Sequence, residues 1–421
     1  MGQFADWFTQ EIQRHPYALR TTLRWLDTLA PRALVGRAAI HSSTVREVFE
    51  RPSEFLMGYL NQPKLKLGNF LLGMDPGPMH EKEKLQLIAA LDASLDAFPR
   101  VVAAEAEQAA HHLCAAWSRS QRIDLIAEFV EPVFVRSLAH YFGIPIQGLH
   151  CEALATAPGE RTLAQVIRKL GTTIASSHPA PFGLEKTANA IAPVFRQHLM
   201  NAVIAHRNGT IADKVDGIAG GLTPLAPDRT VIAHLIAASD LDDGDAGIVR
   251  CVGGMLSASA GYPKAFAHAL HELLARPEQL AGFVRATLDD DRPAAHAYVK
   301  EALRFRPVFP LLVRYCPHAT QLRSDAADVP AQATLPLFPL SAMFDPSAVR
   351  DPEHFIAGRP EDSYWLFGGA PRVCIGRRLI MDMFMPMFRA LFSAVPQLQQ
   401  AKPGELHYDG AGIDRYVLSA S

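Results

Sequence analysis

Long apolar runs are missing from this sequence. Its 421 residues contain no stretch of about 18 consecutive apolar residues, so we expect no transmembrane anchor. The first residues carry Asp6, Glu11 and Arg14 at short intervals and do not resemble a signal peptide. These absences predict a cytoplasmic protein.

Cysteine and excess positive charge are also scarce. The five cysteines are scattered and form no CxxC pair, which argues against both a disulfide framework and a zinc site. Reduced thiols fit this pattern better. The formal net charge is −2, whereas a nucleic-acid-binding protein usually carries a strongly basic patch. We therefore expect no nucleic-acid partner.

Internal repeats, low-complexity tracts and obvious linkers are absent, so we predict one domain spanning residues 1–421. Strand-like residues cluster near 33–41 and 309–340, and the section 306–373 is rich in proline. Apolar residues at three- and four-residue spacing predict helices over 81–117, 121–142, 185–207, 244–275, 294–305 and 375–394. The expected fold is mainly α with a small β region.

The most informative segment is the glycine-rich loop from Phe367 to Gly376, which contains Cys374. A thiolate that binds a metal must be deprotonated and dry, and its charge must be compensated. Glycines allow the backbone to curl around the sulfur and to direct amide N–H groups towards it. The helix predicted to follow Cys374 would add its positive dipole end, and the aromatic ring of Phe367 would shield the loop.

This loop resembles the haem-binding signature of the cytochrome P450 family, FGxGxxxCxG, with Ala370 where the family has its second glycine. The resemblance implies the cytochrome P450 fold, with haem b as the cofactor. It implies that Cys374 is the axial ligand of the haem iron and that Phe367, Gly368 and Gly376 shape the loop around it. The resemblance extends in order from about residue 45 to residue 395.

A second motif supports the same family. Glu301-Ala302-Leu303-Arg304 is similar to the family's ExxR pair, and Arg359 lies where the family has an arginine that joins that pair. On a helix, Glu301 and Arg304 share one face. The resemblance implies a buried structural cluster that holds the scaffold of the cysteine loop.

Four basic residues occupy positions that resemble the family's haem propionate contacts. Two of them lie in Asp75-Pro76-Gly77-Pro78-Met79-His80-Glu81-Lys82-Glu83-Lys84, which is similar to DPPEHxxxR with one extra residue and with lysine in place of arginine. A lysine there offers a point charge and not a bidentate contact. The resemblance assigns propionate binding to His80, Lys84, Arg314 and Arg372.

The predicted helix 244–275 departs from the family pattern. Family members that activate dioxygen carry an acid and an alcohol on this helix. Counting back from Ala265–Leu270 and Arg276-Pro277-Glu278, the two positions fall on Ala260 and Gly261, followed by Tyr262. Alanine and glycine cannot deliver protons. Pro263 should kink the helix, and we expect nearby Ser257 and Ser259 to bond back to helix carbonyls.

Three functions are compatible with this departure. The first is oxidation or rearrangement of a lipophilic molecule with hydrogen peroxide or a lipid hydroperoxide as oxidant. The second is dioxygen-dependent monooxygenation, with a substrate hydroxyl and water replacing the missing pair. The third is a catalytically silent, haem-bearing binding or recruitment module.

The sequence carries no flavin or nicotinamide domain, so electrons for a monooxygenase would come from a separate protein. Arg372, Arg377 and Arg378 lie near the cysteine and would make the proximal face basic. Such a face suits an acidic ferredoxin or flavodoxin. The expected substrate is a lipophilic small molecule, because the family's pockets are mostly apolar.

Overall fold

The computed structural model describes residues 11–29, 37–57, 66–154, 159–175, 182–211, 217, 225–238, 241, 243–410 and 412–419. Helices dominate these residues. The helices are α1 Pro16–Leu29, α2 Ser42–Glu50, α3 Pro78–Asp92, α4 Phe98–Ser120, α5 Glu131–Phe142, α6 Glu160–Ala175, α7 Phe182–Arg207, α8 Val231–Ala238, α9 Gly244–Ala258, α10 Gly261–Leu274, α11 Pro277–Leu288, α12 Arg292–Phe305, α13 Pro339–Ala342 and α14 Arg377–Ala394.

The β structure is small and antiparallel. The strands are β1 Arg122–Asp124, β2 Leu312–Cys316, β3 Thr320–Leu322, β4 Ala327–Val329, β5 Ala333–Leu337, β6 Leu406–Asp409 and β7 Gly412–Ser419. They form a three-stranded sheet in the order β1-β7-β6 and the two-stranded sheets β2-β5 and β3-β4. A mainly α fold with a small β region is therefore confirmed.

Two helical predictions were too long. The stretch 81–117 is interrupted between α3 and α4, because Pro99 lies in the first turn of α4 and a proline cannot continue a preceding helix. The stretch 121–142 begins with β1, which pairs with β7 at the far end of the chain. Sequence periodicity does not report such a distant partner.

The predicted strand near 33–41 is also different. Residues 30–36 lie outside the described residues, and Ala39 forms only an isolated bridge with Leu337 of β5. The strands predicted over 309–340 are present as β2 to β5.

The helix predicted over 244–275 is broken near Pro263, where the proline predicts a kink. α9 ends at Ala258 and α10 begins at Gly261, so Ser259 and Ala260 form a turn between them. Pro263 has no N–H for the Ser259 carbonyl, which accepts instead from the Tyr262 N–H at 2.9 Å. We refer to α9, this turn and α10 as the distal helix.

Aromatic packing fixes the distal helix against α14, the helix that follows the cysteine loop. Phe266 of α10 stacks on Phe388 of α14 with ring centroids 4.0 Å apart. Phe283 of α11 meets the same ring edge-on at 4.9 Å. All three rings are fully buried. Such aromatic pairs add about 0.5–1.5 kcal/mol each beyond area burial, so the two helices are held in a defined relation.

Among the described residues, no helix combines the length and apolar character needed to span a bilayer.

Candidate active site

The loop from Phe367 to Gly376 turns tightly around the sulfur of Cys374. The Cys374 N–H donates to the Phe367 carbonyl oxygen at 3.0 Å, which closes the loop on itself. Gly368 has a φ of +73°, a conformation that favours glycine. The Gly376 N–H donates to the Cys374 sulfur, and α14 begins at the next residue. The loop therefore directs a backbone donor and a helix N-terminus at one sulfur atom.

The position of the family's second glycine, occupied here by Ala370, accepts a side chain. Ala370 is exposed, so its methyl group meets no packing constraint. The preceding Gly369 is buried, and a Cβ there would come within 2.8 Å of the Phe49 ring. In this chain the close approach that needs a glycine is therefore one residue earlier than in the family pattern.

Cys374 combines solvent access with a desolvated thiol. Of the five cysteines it alone is exposed, yet burial raises the pKa of its thiol, while the Gly376 N–H and Arg377 act in the opposite direction. The residue is in part accessible to solvent, while its sulfur is largely surrounded by protein atoms. Such a sulfur suits a metal ligand, because a bound cation would stabilise the thiolate.

Positive groups converge beside the loop. His80 and Lys84 lie one turn apart on α3, and the Lys84 ammonium group donates to the Pro371 carbonyl oxygen at 2.6 Å. Arg372 lies close enough that burial, Arg372 and Lys84 together lower the pKa of His80. The facing acid Asp75 is 3.8 Å from the Arg372 guanidinium.

This basic cluster fits an anionic cofactor. The Arg372 Nε is buried and has no hydrogen-bond partner among the described residues. A buried donor without a partner costs about 1–3 kcal/mol, so the site favours an added acceptor. Carboxylates such as the two propionates of haem would supply acceptors for His80, Lys84 and Arg372 and would balance the charges of Lys84 and Arg372.

Arg314 is connected to the loop through Phe49. It lies in β2 opposite Leu335, is buried, and its guanidinium lies 5.3 Å from the centroid of the Phe49 ring. Phe49 in turn stacks on Trp365 and covers Gly369. Arg314 is therefore joined to the cysteine loop through one aromatic ring.

A buried ionic cluster supports the segment that leads into the loop. The Glu301 carboxylate accepts from Arg304 at 2.8 and 3.0 Å and from Arg359 at 3.1 Å. Its second oxygen also accepts from the Tyr364 hydroxyl at 3.2 Å. Arg304 donates further to the Met343 carbonyl oxygen. The cluster thus joins α12 to the irregular chain before the cysteine loop through one carboxylate shared by two guanidinium groups.

Between Ser257 and Pro263 the distal helix carries no carboxylate, and its serine hydroxyls are already hydrogen-bonded. The Ser257 and Ser259 hydroxyls donate to carbonyls of their own helix, those of Gly253 and Leu256, at 2.7 and 2.6 Å. Ala260 faces α6, where a side chain at Gly171 would overlap its methyl group. Gly261 faces Val308, whose Cγ1 would be 3.2 Å from an added Cβ.

Tyr262 points towards the cysteine loop. Its hydroxyl donates to the Gly376 carbonyl oxygen at 3.4 Å, and its ring meets Phe134 of α5 edge-on. Burial raises the pKa of this hydroxyl well above its usual range, and Cys374 adds to that effect. Tyr262 therefore stays a neutral donor next to the cysteine loop.

Sequence analysis missed a buried polar stripe on α10. Its members are spaced four residues apart and are Lys264, His268 and Glu272. Arg276, just beyond the end of the helix, continues the spacing and pairs with Glu272 at 2.7 Å. Lys264 donates to the Val308 carbonyl oxygen at 2.8 Å, His268 lies 2.9 Å from the Tyr408 hydroxyl, and Glu272 binds Arg306 at 2.7 Å. The signal was present, because polar residues at helical spacing within an apolar helix mark one buried polar face.

Comparisons with known proteins agree with this geometry. The family model for Cytochrome P450 matches residues 281–399, from α11 to just beyond α14. Cytochrome P450 315a1, mitochondrial, from Drosophila melanogaster is 28% identical over 167 residues, which cover 37% of this chain and 31% of that protein. The match thus spans about a third of that relative's length.

Solved structures share the fold along nearly the whole chain. P450BioI, in a complex with an acyl carrier protein that carries hexadec-9Z-enoic acid, superposes with a TM-score of 0.72 at 15% identity, covering 97% of this chain and 99% of its own. CYP109Q5 from Chondromyces apiculatus gives 0.69 at 19% identity, covering 98% and 96%. These likenesses show the fold.

Haem b is the cofactor of cytochrome P450 proteins, and the cysteine loop and the basic cluster described above fit it. The family match over residues 281–399, the shared fold and the geometry around Cys374 agree with one another. The chain therefore has the fold of cytochrome P450 proteins along nearly its whole length and matches the Cytochrome P450 family model over residues 281–399.

Proposed function

We propose that this chain is a haem-thiolate oxidoreductase that oxidises a lipophilic small molecule with a peroxide or a lipid hydroperoxide as oxidant. The observation that carries the proposal is the broken turn of the distal helix. From Ser257 to Pro263, each hydroxyl near the break donates to a carbonyl, and Ala260 and Gly261 carry no polar group.

Residues near the cysteine loop would hold the cofactor. Haem bound there supplies the redox chemistry that activates dioxygen or a peroxide. Cys374 would hold the haem iron through its thiolate, whose charge the Gly376 N–H and the N-terminus of α14 would stabilise. His80, Lys84 and Arg372 would bind propionates from one side, and Arg314 would do so from the β2 side.

A peroxide suits this site because its oxygen is already reduced by two electrons relative to dioxygen, so it needs no electrons from a partner. Cleavage of the O–O bond still needs a proton moved from one oxygen to the other. The side chains at the break do not perform this transfer directly, so water or the substrate must take part. P450BioI, which has the same fold, was solved with a long acyl chain on its carrier protein, and a lipophilic substrate of that kind is our proposal here.

A dioxygen-dependent monooxygenase is the second candidate, and one surface feature favours it. Arg377 and Arg378 are both exposed at the start of α14, beneath the cysteine loop. Asp92 neutralises Arg378 in part, at 3.1 Å. The remaining positive charge suits an acidic ferredoxin or flavodoxin as electron donor.

Turnover without reductant tests the choice of oxidant. The ferric, haem-loaded protein is mixed with hydrogen peroxide and fatty acids, and separately with fatty-acid hydroperoxides, and products are read by mass spectrometry. Cys374→Ser is the matched control. We expect product only from the protein that retains Cys374.

Absence of product from intact haem protein would contradict the peroxide proposal. Product formed only after a ferredoxin and its reductase are added would support the second candidate. A protein that binds lipophilic ligands but oxidises none under either condition would be a haem-bearing binding module.

A further inference from the structure

A small cavity of about 10 Å³ lies on the α5 and α6 side of the broken turn. Ala260 and Pro263 line it from the distal helix, Glu131 and Phe134 from α5, and Arg168 from α6. Its volume is close to the least space that holds one water molecule. The cavity thus joins the residue that replaces the family's acid, Ala260, to the carboxylate of another helix.

Glu131 connects this cavity to the surface. Its carboxylate pairs with Arg168 at 2.9 Å, and the same guanidinium reaches Asp414 of β7 at 3.2 Å. The exposed fractions of the side chains rise from 12% and 18% for Arg168 and Glu131 to 55% for Asp414. A chain of charged groups therefore runs from solvent to the broken turn.

Burial adjusts the acidity of this carboxylate. Burial raises the pKa of Glu131, and this effect outweighs the attraction of Arg168, which acts to lower it. Asp414, Asp124 and Glu160 also face Glu131 and raise its pKa further. A carboxyl group with a raised pKa exchanges its proton closer to neutral pH than an ordinary glutamate does.

We infer that Glu131 exchanges protons with the distal site through water in this cavity, in place of the acid that the distal helix lacks. The inference rests on the proposed haem-thiolate function and supplies the proton path that the function needs. Glu131 acts through water and touches neither substrate nor cofactor, so its role is that of a positioned proton donor and acceptor.

The net proton balance differs between the two oxidant classes, but a proton donor and acceptor near the distal site serves both. With hydrogen peroxide, one oxygen loses a proton, the other gains one and leaves as water, and the first oxygen is transferred to the substrate. With dioxygen, two electrons from a ferredoxin-class donor and two protons convert one oxygen atom to water and insert the other into the substrate. In the first case Glu131 returns the proton it receives, and in the second it is reprotonated from solvent past Asp414.

Cyanide binding provides a test that does not depend on turnover. Cyanide reaches a ferric haem protein as HCN and must give up its proton when it binds, and the cavity water would pass that proton to the Glu131 carboxylate. We expect the association rate of the haem-loaded protein to rise with pH as Glu131 ionises. Glu131→Gln should slow association by about tenfold or more and should abolish this rise.

Two further variants separate a proton path from a structural ion pair. Glu160→Gln removes another α5–α6 pair, with Arg136 at 2.7 Å, that does not line the cavity. It should keep fast association, with the rise moved to lower pH because Glu160 no longer raises the pKa of Glu131. Adding Ala260→Asp to Glu131→Gln returns a carboxyl group to the same cavity and should restore fast, pH-dependent association.

Equal rates and pH profiles for the wild-type protein and Glu131→Gln would overturn the inference. So would an equal loss in Glu160→Gln, or no recovery on adding Ala260→Asp while haem content and melting temperature are unchanged. Failure of the proposed function would look different: the cyanide results would hold, but no oxidant would yield product.

Discussion

The Lys264 ammonium group donates to the Val308 carbonyl oxygen at 2.8 Å, in a site where the lysine side chain is 1% exposed. Burial and the neighbouring Arg306 lower the pKa of Lys264 to about 7. The same lysine lies one turn after Gly261, on the face of α10 that meets Val308. A titratable group is therefore buried next to the broken turn of the distal helix.

The depressed pKa of Lys264 predicts a pH-dependent stability. Between about pH 7 and the ordinary lysine pKa of 10.5, the unfolded chain binds one proton more than the folded chain at this residue. Stability contributed by Lys264 therefore rises with pH in that window, by up to about 1.4 kcal/mol per pH unit. Lys264→Met should remove this part of the slope, as measured by urea unfolding at several pH values.

Lys169→Met is the matched control for that experiment. Lys169 lies on α6 and pairs with Asp409 at 2.6 Å, with its side chain 27% exposed. Lys169→Met should leave the dependence of the free energy of unfolding on pH as it is in the wild-type protein. An unchanged slope in Lys264→Met would contradict the assignment of the depressed pKa to this residue.

The buried cluster around Glu301 should be costly to break. Arg359→Ala removes one of two arginines that neutralise Glu301, which is fully buried. We expect a loss of about 3–5 kcal/mol in the free energy of unfolding and weaker retention of haem. The exposed pair of Lys300 and Glu361 starts from the same helix, and Lys300→Ala should cost about 0–1 kcal/mol. Equal losses of unfolding free energy in Arg359→Ala and Lys300→Ala would contradict a larger contribution from the buried cluster.

Gly376 is packed between two functional groups. A Cβ at this position would overlap the Tyr262 hydroxyl and lie 3.9 Å from the Cys374 sulfur. Gly376→Ala should therefore displace the loop and lower the haem content of the purified protein. Tyr262→Phe in the same chain removes the clashing oxygen and should recover most of it. Equal haem content in all three proteins would contradict this packing.

Restoring the family's pair on the distal helix should carry a stability cost. A Cβ at Gly261 would lie 3.2 Å from Val308 Cγ1, so a threonine there forces Val308 to move. Overpacking of this kind costs about 1–3 kcal/mol. Ala260→Glu with Gly261→Thr should raise ferredoxin-driven oxidation only where proton delivery limits the rate. A faster peroxide reaction with unchanged ferredoxin-driven activity would contradict that reasoning.

Local chemistry in the sequence predicted much of this molecule. Pro263 located the break in the distal helix, since a missing N–H acts on its own helix. The serines that bond back to carbonyls were predicted for the same reason. The helices over 185–207, 294–305 and 375–394 and the β region between 309 and 340 followed from periodicity and composition.

Features that depend on distant contacts could not be predicted. The direction in which Ala260 points is set by α6, and its cavity is completed by Glu131, which lies more than a hundred residues away in the chain. The tolerance of Ala370 depends on its exposure, and the glycine requirement at Gly369 comes from Phe49. Sequence spacing contains none of this information.

The central claim is that Cys374 binds haem iron as a thiolate. The direct measurement is the absorption spectrum of the reduced protein with carbon monoxide, for the wild-type protein, Cys374→Ser and Cys251→Ser, a buried cysteine elsewhere. The account predicts the red-shifted Soret band of a thiolate–haem–carbon monoxide complex in the wild-type protein and in Cys251→Ser, and its loss in Cys374→Ser. Retention of that band without Cys374 would contradict it.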